Sequence, residues 1–373
     1  MIDIDKCCGC NNCVNVCPQN CLKMELTNEG FWYPKIINDT CIKCGKCNKV
    51  CPVYLDLTSY CTSFGKDCFY GKHTNEEILV SCSSGGIATA LSETIIYKSY
   101  GKVYGSAYSK DYSFVHTIKV ENVYDLECLK GSKYVQSLKK DIFCDIKKEL
   151  DRDTVVLYIG VPCEIAGLKA FLKKDYDNLL TIDLVCHGPT SVFAMRDYLA
   201  QFKDIKFFNM RYKKEKKWVP YFIRVDAYDG KEFSEKFWES NFGYIFNRFA
   251  RKYCYECKFK GSYRFSDLTI GDAWGSPQNI LDENEKGLSS IIVNSEKGEW
   301  LLKYADNIKL TSAELKDVIA GNPNLIDKRV FSKEWEIIAQ NLNKVGLNKT
   351  VVLIKPLKKR ILDYLHILKN KYR

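Results

Sequence analysis

Cys7-x2-Cys10-x2-Cys13-x3-Cys17-Pro18 and Cys41-x2-Cys44-x2-Cys47-x3-Cys51-Pro52 decide the reading of this chain. The spacing is identical in both runs, down to the proline after the fourth cysteine. A [4Fe–4S] cube needs four soft, deprotonated ligands in a tight shell. Three cysteines separated by two residues can wrap one face of the cube, and the fourth ligand comes from the other run, so the halves interlock. One site then takes Cys7, Cys10, Cys13 and Cys51. The other takes Cys41, Cys44, Cys47 and Cys17. A pair of zinc knuckles is the alternative. A structural zinc is complete with four ligands from two C-x2-C pairs, often including histidine, whereas each run here holds four cysteines and no histidine.

The duplicated pattern resembles that of bacterial two-cluster ferredoxins and places such a unit at residues 1–57. Between the runs, Glu25 to Ile37 reads as a hairpin around the turn Asn28-Glu29-Gly30. A connector, residues 58–78, follows. From 79 to about 290 strands and helices alternate, which implies a largely parallel sheet. Thr154 to Gly160 is apolar on both faces, as a central parallel strand is. After about residue 205 the pattern turns antiparallel, and residues 291–373 read as mostly helical. The expected fold is an α+β ferredoxin-like iron–sulfur domain followed by an α/β domain with a mixed, largely parallel sheet.

With 373 residues, 46% of them hydrophobic, the chain can bury a sizeable core in two or three domains. Met1-Ile2-Asp3-Ile4-Asp5 lacks the basic and apolar regions of a signal peptide. No apolar run reaches the roughly 18 residues of a spanning helix. Nineteen cysteines without such a leader fit a reducing cytoplasm. The formal charge is +10, but four thiolates on an oxidised cube leave each site at about −2. The remaining basic residues gather at Lys213, Lys214, Lys216 and Lys217 and in the tail from Lys358 to Arg373. These are solvated faces, or docking sites for an acidic electron-transfer protein. No helix-turn-helix or similar reader accompanies them, so nucleic acid is not an expected partner.

A second cysteine set lies further on. Cys163 and Cys186 stand at the C-terminal ends of two consecutive predicted strands, and in a parallel sheet those ends open onto one crevice. Cys254-Tyr255-Glu256-Cys257 can supply two adjacent ligands. Together they could hold a third [4Fe–4S] cluster or a zinc ion, and each alone also reads as a small buried hydrophobe. Cys8, Cys21, Cys61, Cys68, Cys82, Cys128 and Cys144 have no partner spacing and read as structural, Cys82 being the one expected near a cofactor. Ser83-Ser84-Gly85-Gly86 before an apolar helix is a candidate phosphate cradle, although a serine cap with flexible glycines explains it too. His187 is the histidine in a chemically interesting place.

Six stretches carry a wider resemblance: Ser83 to Leu91, Lys130 to Ser137, Gly160 to Leu168, Asp183 to Pro189, Cys254 to Cys257 and Asp267 to Gly275. On these the chain resembles the beta subunit of coenzyme F420-reducing hydrogenases and its relatives. Val161 and Glu164 depart from the Thr and Gln expected in the third stretch. The resemblance implies the third cluster on Cys163, Cys186, Cys254 and Cys257. It also implies FAD, held by Ser84, Gly85, Gly86, Thr89, Lys133 and Tyr134 with Asp272 and Trp274 supporting the pocket, and His187 as a proton donor. The activity implied is that of an iron–sulfur flavoprotein oxidoreductase. It would exchange a hydride with a deazaflavin or another small substrate and pass single electrons to a protein partner. The alternative is a non-catalytic electron-transfer subunit feeding a partner enzyme.

Overall fold

A computed structural model of the chain describes residues 3–356. The basic tail from Lys358 to Arg373 lies outside them. At the N-terminus the duplication is visible in the backbone. Each run enters a one-turn helix, Asn12–Asn15 or Lys46–Lys49, through a left-handed residue between its second and third cysteines, Asn11 (φ 67°) in one and Gly45 (φ 70°) in the other. The Asn12 side chain donates to the Val50 carbonyl at 2.6 Å and ties the halves together. Between them β1 (Leu22–Leu26) and β2 (Trp32–Ile36) form the expected antiparallel hairpin, with Leu26 opposite Trp32.

The rest of the chain is built on a nine-stranded sheet. Its strands are β3 (Asp67–His73), β4 (Lys102–Tyr108), β5 (Val115–Val120), β6 (Ser137–Leu138), β7 (Val156–Gly160) and β8 (Leu179–Leu184), joined by three later ones. A separate antiparallel sheet comprises β9 (Ile205–Tyr212), β10 (Phe222–Ala227) and β11 (Glu232–Lys236). The main sheet is completed by β12 (Leu268–Asp272), β13 (Ser289–Val293) and β14 (Ile308–Ser312). Its order is β14-β3-β13-β12-β8-β7-β4-β5-β6. The centre, β12-β8-β7-β4, is parallel; β13, β3 and β14 continue antiparallel on one side and β5 on the other. The sheet is therefore mixed, with a parallel centre and a further parallel pair, β5 and β6, at one edge. Two strands fall outside the span expected for this domain. β3 lies in the stretch that reads as a connector, and β14 in the stretch that reads as helical. Both mix polar and apolar residues, which carry a weak period-2 signal.

Alternation along β7 shows why the sheet is covered twice. Val156 and Tyr158 face a layer containing Phe143, Ile146, Ile165 and Leu168, from the helices Ile142–Leu150 and Pro162–Leu172. Leu157 and Ile159 face Ile87, Leu91 and Ile95 of helix Ile87–Ser99, together with Leu301 of helix Glu296–Tyr304. A third core welds the ferredoxin-like unit to the rest. Phe31 and Tyr33 pack with Met195, Met210, Phe237, Phe249 and Trp335, drawing in the antiparallel sheet and the helix Trp335–Ile354.

Candidate functional site

The first cysteine run ends in a cavity. Cys7, Cys10, Cys13 and Cys51, the four ligands expected for one site, line a small cavity of about 10 Å³ together with Cys8, Asn11, Asn12, Met24 and Pro34. Cys51 arrives from the other run, as interlocking requires. Among the described residues no three His, Cys, Asp or Glu side chains converge on a single ion position. A cube is gripped at its corners, so its thiolates stand around a volume and not around a point. Burial pushes the thiols of Cys7 and Cys13 up, and that of Cys51 to about 11. A ligand that enters must displace these protons.

The second site is built differently. Cys44 is exposed, and Cys41, Cys47 and Cys17 are half-buried. Cys17 approaches Cys21 at 3.4 Å, and Cys21 reaches Cys41. Cys21, which reads as structural in the sequence, is thus a wall of this site. The Cys13 thiol feels the charge of Cys47 in the second site.

The inner set gathers at the edge of the parallel strands. β7 and β8 are parallel neighbours, with Gly160 opposite Asp183, so Cys163 and Cys186 follow at the same end. The Cys186 sulfur accepts from the Gly188 N–H at 3.3 Å. Gly188 in turn leaves room for Cys254, whose Sγ would lie 3.3 Å from any added Cβ. The Cys254 and Cys257 thiols feel Cys186, and Cys163 feels Cys257. Burial drives Cys257 up to about 11. Glu164, the departure from the expected Gln, is buried. It pairs with the fully buried Lys139 and accepts from the Val161 N–H at 3.2 Å. The lysine compensates the extra charge beside Cys163.

His187 sits beside this set. Its ring packs on Phe246 at 5.0 Å, and its Nε2 is buried without a partner. Burial, with Arg329 and Lys260 nearby, holds it down to about 4.

The residues expected around FAD fall into one region. Ser132 donates from its backbone to Ser83 Oγ at 2.8 Å, joining the Lys130–Ser137 stretch to the serine–glycine turn. Cys82 lies next to this turn, 3.3 Å from Thr89 Oγ1. Gly86 has φ 78° and caps helix Ile87–Ser99 without any side-chain bond to its first N–H groups. Gly85 serves a different end. A Cβ there would meet the Gly71 carbonyl at 2.3 Å and Ser289 N at 2.6 Å, so this glycine is required by packing on β3 and β13. The Lys133 ammonium donates to the carbonyls of Cys128, Leu129 and Lys130, ending the 3-10 helix Tyr124–Leu129.

Two residues near this turn are not foreseen by the sequence. Lys213 stands in a run that reads as solvated, yet it is buried and donates to Leu79 O (2.7 Å) and Ser84 O (2.6 Å). Burial lowers it to about 7. Arg211, two residues earlier, grips Asp272 with both terminal nitrogens at 2.6 and 2.9 Å and lies over Tyr221 at 4.5 Å. Tyr134 feels both members of that pair. Trp274 stacks on Trp218 at 4.5 Å and 6°. Arg211 Nε and Trp218 Nε1 are buried donors with no partner. Lys214, Lys216 and Lys217 are exposed, as expected.

Comparison with known proteins fits this geometry. Residues 153–318 match the family model for the C terminus of the coenzyme F420 hydrogenase/dehydrogenase beta subunit, and residues 6–54 that of a 4Fe-4S dicluster domain. The two matches follow one another along the chain. It is 24% identical over 307 residues to a coenzyme F420-dependent sulfite reductase of Methanocaldococcus jannaschii, a match covering 80% of this chain. The chain spans about half (46%) of that relative's length. Its fold is similar to a chain of the F420-reducing [NiFe] hydrogenase complex of Methanosarcina barkeri, with a TM-score of 0.52 and 16% identity, over 74% of this chain and 93% of that one. No described helix is long and apolar enough to cross a membrane.

Proposed function

We propose that this chain is an iron–sulfur flavoprotein oxidoreductase. It would couple one-electron transfer through three thiolate sites to hydride chemistry on a small organic substrate, with FAD as the junction. The observation that carries the reading is the contiguity of the three cysteine sets. The Cys13 thiol feels the charge of Cys47 in the outer set, and Cys10 of the first set packs on the helix that begins beside Cys163. A Cβ added at Gly167 would lie 2.9 Å from Cys10 Cβ. The names of the relatives make a deazaflavin coenzyme the first substrate to test.

FAD, when bound, supplies the exchange between two-electron and one-electron carriers. The residues present suit it. Lys213 and the uncapped start of helix Ile87–Ser99 favour an anion. The orphan donors Arg211 Nε and Trp218 Nε1 suit acceptors such as a flavin carries on its ring and phosphates. The Trp218–Trp274 stack offers a flat apolar wall that excludes water. Asp272 holds Arg211 in place. We assign His187 to the wall of the inner cysteine set.

The test is iron, sulfide and flavin content after purification without oxygen. About twelve irons and one FAD per chain are expected. About eight irons without flavin would remove the enzyme reading. It would leave an electron-transfer subunit feeding a partner, the alternative that the likeness to a chain of a hydrogenase complex supports.

A further inference from the structure

Among the described residues, six lysines and arginines are buried. Three of them face a carboxylate: Lys139 pairs with Glu164, Arg211 with Asp272 at 2.6 Å, and Arg264 with Asp183 at 3.9 Å. Lys213, Arg251 and Arg329 have no such partner and donate only to uncharged acceptors. Lys213 borders the region proposed for FAD. The two arginines lie against the cysteine sets.

Arg251 donates to the carbonyls of Cys7 and Trp32 at 2.6 and 2.8 Å and to Gln136 Oε1 at 2.9 Å. Its Nη1 would lie 3.1 Å from a Cβ at Gly9, so the guanidinium presses on the turn from Cys7 to Cys10. Its Nη2 is buried with no partner. The Arg251 carbonyl also accepts from the Cys254 N–H at 2.9 Å, at the entry to the inner C-x2-C pair. Arg329 donates to the carbonyl of His187, next to Cys186, at 3.4 Å, and to that of Phe246. Its guanidinium carbon stands 5.7 Å from the ring centre of Tyr255, between Cys254 and Cys257. Burial pushes the Cys254 thiol up, and both arginines pull against it.

A guanidinium stays charged when buried, and a buried charge is costly unless an opposite charge offsets it. Four neutral thiols offer none. Four thiolates on an oxidised cube leave about −2. A fixed cation beside such a centre favours its more negative, reduced state and raises its reduction potential.

We propose that Arg251 and Arg329 are the fixed counter-charges of the two buried thiolate centres. Arg251 serves the site of Cys7, Cys10, Cys13 and Cys51 together with that of Cys163, Cys186, Cys254 and Cys257. Arg329 serves the second of these alone. Both are positioning residues that hold the potentials up by their charge. The inference rests on the three-site reading above.

The experiment uses the full chain and its Arg329→Gln, Arg329→Lys, Arg251→Gln and Arg251→Lys variants, purified without oxygen. Iron and sulfide are counted, and each site is followed by electron paramagnetic resonance during a dithionite titration. Arg329→Gln should make the potential of the Cys163 site more negative and leave the Cys7 site unmoved. Arg251→Gln should lower both. The lysine variants, which keep the charge, should stay closer to wild type, and the exposed site at Cys44 should not move in any of them. Wild-type iron with unchanged potentials would reduce the arginines to carbonyl donors and overturn the proposal. Equal shifts in the glutamine and lysine variants, or loss of about four irons from both, would trace the effect to lost hydrogen bonds and overturn it too. A wild-type chain with about eight irons would instead refute the three-site reading, and with it the role of Arg329.

Discussion

The two cysteine runs have one spacing and opposite surroundings. Cys7, Cys10, Cys13 and Cys51 are all buried, whereas Cys44 is exposed and Cys41, Cys47 and Cys17 are half-buried. The residues between the cysteines decide this. Gly9, Asn11 and Asn12 in the first run are small or compact and lie covered by Gln136, Arg251 and the hairpin. Ile42, Lys43, Lys46 and Lys49 in the second stay in solvent. Duplication has thus given an inner site flanked by a buried guanidinium and an outer one open to contact. Potentials depend on burial, net charge and hydrogen bonds to sulfur, so equal ligand sets need not be equal carriers.

The largest expected effect comes from removing what makes the inner site inner. Arg251 is fully buried. It donates to the carbonyls of Cys7 and Trp32 and to Gln136 Oε1, and it lies 3.7 Å from the Tyr33 ring centre. Arg251→Met strips these acceptors of a charged donor inside a dry interface and should destabilise the chain by about 3–5 kcal/mol. Lys43→Ala beside the outer site should stay within about 0.5 kcal/mol. Denaturant unfolding of both variants under anoxic conditions is the check. Equal stabilities would mean that the two sites differ in exposure only.

That contrast also marks what the sequence could disclose. The convergence of Cys7, Cys10, Cys13 and Cys51 on one cavity was legible, because the spacing of each run is local. The hairpin and the strand–helix alternation from Lys102 to Leu199 were legible because period and turn chemistry are local too. The roles of Arg211, Lys213 and Arg251 were not. Each is set by a partner far along the chain, such as Arg251 on Cys7 or Lys213 on Leu79. A lysine inside a run of lysines carries no local sign that it is buried. β3 was missed for a related reason: its place is fixed by pairing with β13 and β14, more than two hundred residues away.

A second test strips the metal. With chelator and mild oxidant, iron should leave in two phases. About four irons go first, from the site at Cys44, and the remainder follow slowly, because the buried cysteines are reached only through local opening. Absorbance near 400 nm and released iron, followed together, give the two amplitudes. A single phase would show that the sites open together and would break the distinction between them.

The distinction between buried and exposed groups recurs among the lysines and gives a pH dependence. Lys213 is held at about 7 by burial, so in the empty chain it carries a proton on about half the molecules at pH 7. A diphosphate favours the charged form, so flavin binding takes up a proton. Affinity should fall as pH rises from 7 towards the ordinary lysine range, by at most about tenfold per unit. Flavin retention measured from pH 6 to 9 tests this. Lys213→Met should flatten the profile and the exposed Lys214→Met should not. A slope that survives in Lys213→Met would place the titrating group elsewhere.

The smallest effect is the most discriminating, because two terms of opposite sign meet at one atom. Gly167 lies inside the helix Pro162–Leu172, where alanine is favoured over glycine by about 1 kcal/mol. An added Cβ would sit 2.9 Å from Cys10 Cβ and 3.1 Å from Cys10 Sγ, closer than carbon contacts allow. Cys10 is on a short turn held by Arg251 and Gln136 and has little room to retreat. Gly167→Ala should therefore leave thermal stability within about 1 kcal/mol of wild type, while disturbing the electron paramagnetic resonance signal of the inner ferredoxin-type site and leaving that of the outer site intact. If both signals stay unchanged, the helix and the cysteine turn are not in close contact, and the contiguity of the first and third cysteine sets fails with it.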